Sequence, residues 1–314
     1  MNALTIAHIS DLHLSFDPQL SAAQRFSKRQ LSVWSWRRRR AVQRPEIIDA
    51  LAADLRAQQP DHIVITGDIT NFSLPGEFRQ AAAWLTGLAP SERISLVPGN
   101  HDALVDVAEA DGLGKWSAWT HAGNGWPYVH HRDSLALIGL NSARPCAPLL
   151  ARGRLGLEQL ARLESILVAE GASGRTRVVL LHHPVAEHAI NGRKALADRT
   201  ELRGVLRRAG AELVLHGHVR HARLDTVPGP HGPIPCLCVP SSSALPNPRD
   251  EGARWHRMSL LATGASPHAE VLVRRWSVAE QAFVDTACYE LCLPRSATTS
   301  RGKGIDEVHP GLAP

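Results

Sequence analysis

Six short runs of β-branched and leucine residues, at 4–9, 62–66, 94–97, 135–140, 177–181 and 212–215, punctuate the first two-thirds of the chain. Each has the length of a strand and ends at glycine or polar residues. Between them lie patterns of helical period. Pro45 followed by Ile47, Ile48, Leu51 and Leu55 puts a proline at a helix start and an apolar stripe along one face. Phe78, Ala82, Leu85 and Leu88 form a second stripe, and Leu157, Leu160, Leu163 and Leu167 a third. Leu202, Val205, Leu206 and Ala209 form a fourth, with Thr200 as the expected N-cap and Gly210 just past the end. Strand–helix alternation of this kind predicts an α/β layered fold. Runs at 258–262 and 269–275 read as strands with no helix between them, which calls for a second, partly antiparallel sheet.

Two segments break this rhythm. Residues 16–44 separate the first strand from its helix by far more than an ordinary strand–helix loop. The tail from 294 to 314 is rich in Ser, Thr, Gly and Pro and is expected to be disordered. With 44% hydrophobic and 21% charged residues the 314-residue chain suits a globular protein with a large core. No apolar stretch reaches the eighteen residues of a membrane span, and the N-terminus runs straight into a strand, so a cytoplasmic location is expected. Five cysteines are too few for a disulfide framework. Cys236 and Cys238 would share a strand face, and Cys288 and Cys292 a helix face. Reduced thiols acting as small hydrophobes are the simplest reading of them, a four-thiolate metal site the alternative. Net charge is +5, carried almost wholly by arginine, which invites an anionic partner.

The chemistry concentrates where strands end. Asp11-Leu12-His13 follows the first run, Gly67-Asp68 the second, and Gly99-Asn100-His101-Asp102 the third. His182-His183-Pro184 follows the fifth, and His216-Gly217-His218 the sixth. In open α/β sheets ligands bind at the carboxyl ends of strands, so the five clusters should meet in one crevice. Each supplies oxygen or imidazole donors. That mixture suits Mn²⁺ or Fe, with Zn²⁺ also compatible, and not a Ca²⁺ site built from oxygens alone. Taken singly, a strand-end Asp-x-His or His-His-Pro is commonplace; five in order are not.

Asp-x-His, Gly-Asp, Gly-Asn-His-Asp, His-x-Pro and Gly-His, in this order, resemble the calcineurin-like metallophosphoesterase superfamily, and within it the bacterial branch that includes class III cyclic-nucleotide phosphodiesterases. The resemblance implies a four-layer α/β/β/α sandwich with two mixed sheets, occupying residues 1–293, and a metal site at the strand ends. It implies two divalent ions and hydrolysis of a phosphate ester by a hydroxide held between them. Asp11 and His13 would bind the first ion, Asp68 would bridge, and Asn100, His182 and His218 would bind the second. His101, polarised by Asp102, would stay off the metals and protonate the leaving oxygen, as suits an imidazole near neutral pH.

At one position the pattern fails. The superfamily reads Gly-His-x-His, and here the last position is Arg220, with a histidine one residue later at His221. Three readings stay open: His221 reaches the first metal as a surrogate; Arg220 supplies fixed charge to the phosphate at a weakened first site; or the chain only binds phosphate ligands without turning them over. The 16–44 insertion would emerge beside Asp11 and His13. It carries Trp34, Trp36, Arg37, Arg38, Arg39 and Arg40. It reads as a basic helix packing Phe26, Leu31 and Trp34 on the body, as a substrate rim, or as a transient contact with an anionic membrane. The expected substrate is a small organic phosphate, nucleotide-like or lipid-linked, hydrolysed as a diester before a monoester. Nucleic acid is not expected, since no nucleic-acid module accompanies the basic run.

Overall fold

A computed structural model describes residues 4–294 apart from 40, 124, 249 and 262–266. The strands are β1 (Leu4–Ile9), β2 (His62–Ile65), β3 (Ile94–Leu96), β4 (Tyr128–Arg132), β5 (Leu135–Gly139) and β6 (Thr176–Leu180). They continue with β7 (Leu213–His216), β8 (Arg223–Val227), β9 (Ile234–Cys238), β10 (Arg254–Leu261), β11 (His268–Ser277) and β12 (Ala282–Cys292). The helices are α1 (Ala22–Arg25), α2 (Lys28–Arg39), α3 (Pro45–Gln58), α4 (Pro75–Leu88), α5 (Ser117–Thr120), α6 (Leu157–Ala172) and α7 (Arg199–Ala209).

The strands form two six-stranded sheets, ordered β12-β11-β10-β1-β2-β3 and β4-β5-β6-β7-β9-β8. Both are mixed. β1, β2 and β3 are parallel and β10 joins β1 antiparallel; β5, β6, β7 and β9 are parallel between antiparallel edges β4 and β8. Side chains alternate along each strand. In the first sheet Ile6, Val64, Met258 and Val271 face the second sheet, where they meet Leu137, Val178, Leu213 and Leu237. Ala7, Ile9, Ile63 and Ile65 point the other way, onto Ile47, Leu51 and Leu55 of α3 and Phe78 and Leu85 of α4. The outer face of the second sheet packs Ile138, Val179 and Val214 on Leu160, Leu163 and Leu167 of α6 and Leu202 and Leu206 of α7. Both sheets are thus buried on both faces, which gives the four-layer α/β/β/α sandwich and explains their nearly unbroken apolar runs. A fully buried leucine such as Leu163 would cost about 2–5 kcal/mol as alanine.

One buried ion pair bears on the site. Arg177, in β6, reaches Glu212, just before β7, through Nη2–Oε1 at 2.6 Å and Nε–Oε2 at 3.0 Å. This two-pronged contact fixes the strands whose far ends carry His182 and His218.

Three local expectations are corrected. Cys288 and Cys292 lie on strand β12 and are exposed, while Cys236 and Cys238 are buried in β9 of the other sheet. No cysteine joins a metal-capable cluster among the described residues. Asp198, not Thr200, precedes α7, and its carboxylate accepts from Leu155 N and Gly156 N. In the 16–44 segment, Arg29, Val33 and Trp36 face the body at i, i+4, i+7 spacing. Val33 is buried beside Phe72 and Leu74, and Trp36 meets the Phe72 ring edge-on at 5.8 Å. Phe26, Leu31 and Trp34, expected to pack inward, are 93%, 39% and 54% exposed, Leu31 and Trp34 on the opposite side of α2 and Phe26 at the end of α1. Residue 40 and the tail from 295 lie outside the described residues.

Candidate metal centre

The carboxyl ends of β1, β2 and β3 in one sheet and of β6 and β7 in the other open on one crevice, and every candidate ligand projects from the residues just beyond them. The backbone there is tightly turned. Asp11, His13, Asp68 and His218 all hold φ between 44° and 68°, four of the eleven non-glycine residues in the left-handed region among those described. Such conformations cost on the order of 1 kcal/mol or more each and persist only where surroundings enforce them. The enforcing bonds are visible: Asp11 N donates to Gly67 O, and His13 N to Asp68 O, both at 2.9 Å. Gly67 and Gly99 permit the close approach. A β-carbon on Gly67 would strike the Gly99 backbone and the His182 ring, and one on Gly99 would strike the Asp68 carboxylate.

Asp68 is the centre of the arrangement. Its Oδ2 lies 3.4 Å from His182 Nε2 and 3.9 Å from His13 Nε2, and its Oδ1 accepts from His101 N at 2.7 Å. Two groups of metal-capable donors share it: His13, Asp68 and His101 on one side, Asp68, His182 and His218 on the other. Asn100 Oδ1, 3.2 Å from His182 Nε2, adds an oxygen to the second. Four imidazoles each fix one nitrogen on a backbone carbonyl: His13 Nδ1 on Thr70, His101 Nδ1 on Asn71, His182 Nδ1 on Thr66 and His218 Nε2 on Lys194, at 2.6–3.2 Å. That is how ligating histidines are commonly oriented and held in one tautomer.

The electrostatics favour added positive charge. Burial works against ionised Asp68, yet His182, His101 and His13 hold its carboxyl well below the ordinary range. Burial likewise opposes a charge on His182, but Asp68 and Asp11 carry it up to about 9. Burial lifts Asp11 to about 6. His183, beside them, stays neutral: burial and the His182 charge lower it to about 3, and Ser142 Oγ sits 2.8 Å from its Nδ1. A carboxylate that draws protonated imidazole toward itself in a buried crevice fits a place for cations.

A sequence model of the family described as calcineurin-like phosphoesterase matches residues 4–220. The chain belongs to this family. As a calcineurin-like phosphoesterase it is a metal-dependent hydrolase of phosphate esters, and the two donor groups around Asp68 are its candidate metal sites. A protein of Synechococcus sp. named a probable cyclic nucleotide phosphodiesterase is 27% identical over 223 residues, spanning 70% of this chain and 74% of that one. Among solved structures, a dimetal phosphatase from Danio rerio superposes with a TM-score of 0.59 at 12% identity, over 93% of this chain and 99% of its own. A purple acid phosphatase from yellow lupin seeds superposes with a TM-score of 0.56 at 12% identity, over 94% of this chain and 54% of its own. At such identities the likeness is one of fold.

Set against this phosphoesterase frame, the sequence-derived residues divide. Asp68, Asn100, His182 and His218 come together on one side. On the other, His13 stands with Asp68, while Asp11 Oδ2 accepts from Ser10 Oγ at 2.7 Å and His218 N at 3.0 Å. His101, expected to stand clear of metal, joins the first donor group. Asp102, given a polarising role by the resemblance, is engaged elsewhere. Its two oxygens accept from Asp68 N, Gly99 N and Thr70 N at 2.8–2.9 Å and from Thr70 Oγ at 3.0 Å, and the His101 ring is oriented by Asn71 O instead. Burial and the charge of Asp68 push the Asp102 carboxyl up to about 7. The exposed His221 enters neither donor group, and Arg220 sits near Asp250, where its positive charge opposes the upward push of burial on that carboxyl. Trp34 and Arg37 are exposed on α2. Sequence reasoning missed Glu77, whose buried carboxylate accepts from Asn71 N, Phe72 N and Leu74 N. A glutamate two residues after the helix-opening Pro75 was a readable signal for it.

Proposed function

We propose that the chain is a phosphodiesterase of small organic phosphates that works with two divalent cations, Mn²⁺ or Fe before Zn²⁺. Asp11, His13 and Asp68 hold the first, and Asp68, Asn100, His182 and His218 the second. The observation that carries this reading is the single carboxylate of Asp68 shared by two groups of carbonyl-anchored imidazoles. When bound, such a pair of cations activates water and clamps the phosphoryl oxygens. The chain supplies the rest. Asp68 and the Nε2 atoms of His13 and His182 fix the positions of charge. His101, though it stands with His13 and Asp68, is kept off the cations in this reading: its Nδ1 donates to Asn71 O, and as the imidazolium it gives the Nε2 proton to the departing oxygen. Preference for a diester draws on the relative named a probable cyclic nucleotide phosphodiesterase.

A lipid-linked diester is favoured over a free nucleotide by one feature. Phe26, Leu31 and Trp34 stand exposed beside Arg37, in a segment with no acidic residue between Asp17 and Glu46. Aromatic groups with a basic fringe suit an anionic lipid–water interface. The contrasting reading, a binding protein without turnover, would draw on Arg220; the intact Asp11, His13, Asn100 and His101 speak for the enzyme. Chelation should abolish hydrolysis of bis(p-nitrophenyl) phosphate and Mn²⁺ should restore it, while Asp68→Ala should neither bind metal tightly nor turn over. Full activity in chelated protein would end this reading.

A further inference from the structure

The insertion that begins after His13 returns to the body through two consecutive side chains. Lys28 Nζ donates to Leu150 O at 2.9 Å and Cys146 O at 3.3 Å, on the loop that follows β5. Arg29 donates from Nε to Phe72 O at 3.0 Å and from Nη2 to Ser73 O at 2.7 Å, on the loop that follows β2. β2 belongs to one sheet and β5 to the other, so the pair Lys28–Arg29 ties together rims on the two sides of the crevice.

The loop that Arg29 grips is the one that holds His101. Asn71 O meets His101 Nδ1 at 2.9 Å, and Ser73 Oγ donates to His101 O at 2.8 Å while accepting from Leu104 N at 2.8 Å. The loop is strained, with Ser73 at φ 52°. Its N–H groups at Asn71, Phe72 and Leu74 are taken by Glu77. Its carbonyls at Phe72 and Ser73 are taken by Arg29. The guanidinium is a rigid fork that meets two adjacent carbonyls from one side, a geometry that an ammonium does not impose. Between them Glu77 and Arg29 engage all of residues 71–74, Glu77 through the N–H groups of Asn71, Phe72 and Leu74 and Arg29 through the carbonyls of Phe72 and Ser73.

We infer that Arg29 is a positioning residue for His101: by fixing the carbonyls of Phe72 and Ser73 it sets the Asn71 carbonyl that orients the His101 imidazole. It touches no substrate. The inference rests on His101 as proton donor, and its test separates the two. In metal-loaded protein, Arg29→Ala should lower kcat about tenfold for an alkyl diester with a poor leaving group, a part of the 10²–10⁴ that general acid catalysis supplies. KM for that ester should move by less than about twofold, bis(p-nitrophenyl) phosphate should lose less, and Arg29→Lys should recover part of the loss. In a His101→Ala background, Arg29→Ala should cost nothing further. Losses that multiply in the double variant would overturn the inference. The ring ¹H–¹⁵N signals of His101 give a readout independent of turnover: they should shift or broaden in Arg29→Ala and in the milder Arg29→Lys. Unchanged ring signals in both would also overturn it. If His101→Ala slowed good and poor leaving groups alike, the proton-donor reading would fall, while the ring signals would still decide whether Arg29 positions the imidazole.

Discussion

Asp102 offers the most direct contest between two roles for one residue, a brace for the crevice loops or a polariser of His101. Its side chain is 2% exposed and collects three backbone N–H groups, those of Asp68, Thr70 and Gly99, besides the Thr70 hydroxyl. Asp102→Ala removes the acceptor and leaves three buried donors without it. The Thr70 hydroxyl can still direct its one proton to His101 O, 3.0 Å away. A buried donor left unsatisfied costs about 1–3 kcal/mol, so the variant should lose at least about 3 kcal/mol even after partial relaxation. Against a typical total of about 5–15 kcal/mol that loss is large. Asp102→Asn keeps one oxygen acceptor but turns an amide N–H₂ toward donors, and should lose roughly 1–3 kcal/mol.

Urea unfolding followed by circular dichroism at pH 8, above the value near 7 of this carboxyl, tests the order wild type, Asp102→Asn, Asp102→Ala. Because one of the three donors is Asp68 N, whose residue sits at φ 54°, both variants should also retain less metal after dialysis. A polariser of His101 would behave differently. Its loss would slow poor-leaving-group esters selectively and leave the unfolding midpoint and the metal content alone. Asp102→Ala within about 0.5 kcal/mol of wild type would refute the brace and restore the role that the sequence suggested.

Arg220→His should raise metal occupancy at limiting Mn²⁺, since it restores a neutral donor and removes a fixed positive charge, whereas His221→Ala should change it little; loss of one metal in His221→Ala would instead establish that histidine as a ligand. Burial, then the charges of His130 and Arg132, lower His62 to about 2, so the folded protein refuses a proton that the unfolded chain accepts below pH 6.5. Stability is then full above pH 6.5 and falls as pH drops toward 2, by about 2 kcal/mol at pH 5, and His62→Gln should flatten that acid limb of the unfolding curve. Replacing Phe26 and Trp34 together with serine should cut sedimentation with vesicles of phosphatidylglycerol and phosphatidylcholine severalfold while sparing small chromogenic esters; equal sedimentation would remove the lipid interface, and binding to DNA at the same salt would point to nucleic acid instead.

Much of the fold was legible because both sheets are covered on both faces. Strands such as β2 and β6 are then continuous apolar runs, and the helices that cover them carry stripes of 3.6 period. Edge strands were harder. β4 reads Tyr-Val-His-His-Arg and β8 reads Arg-Leu-Asp-Thr-Val, polar enough to pass for loops, because only one neighbour and one side of each must be satisfied. β12 was missed for a related reason. It lies at the rim of the first sheet, its outward residues are exposed, and Cys288 and Cys292 at four-residue spacing mimic a helix face.

In the site the donors were legible and their supports were not. The candidate donors are Asp, Asn and His, residue types that strand-end placement makes conspicuous. The groups that aim the ligands are the carbonyls of Thr66, Thr70, Asn71 and Lys194, which any residue could supply, so no side-chain pattern announces them. The pairing of Asp102 with His101 rests on the resemblance alone. An acid next to a histidine in sequence looks like an orienting carboxylate, yet the turn from Gly99 directs the Asp102 side chain back onto the N–H groups of its own loop and of Asp68. The ring is left to Asn71 O, on the loop after β2 that Glu77 and Arg29 engage. An insertion that composition alone could describe only as basic is thereby connected, through the carbonyls of Phe72 and Ser73, to the loop whose Asn71 carbonyl meets the His101 imidazole.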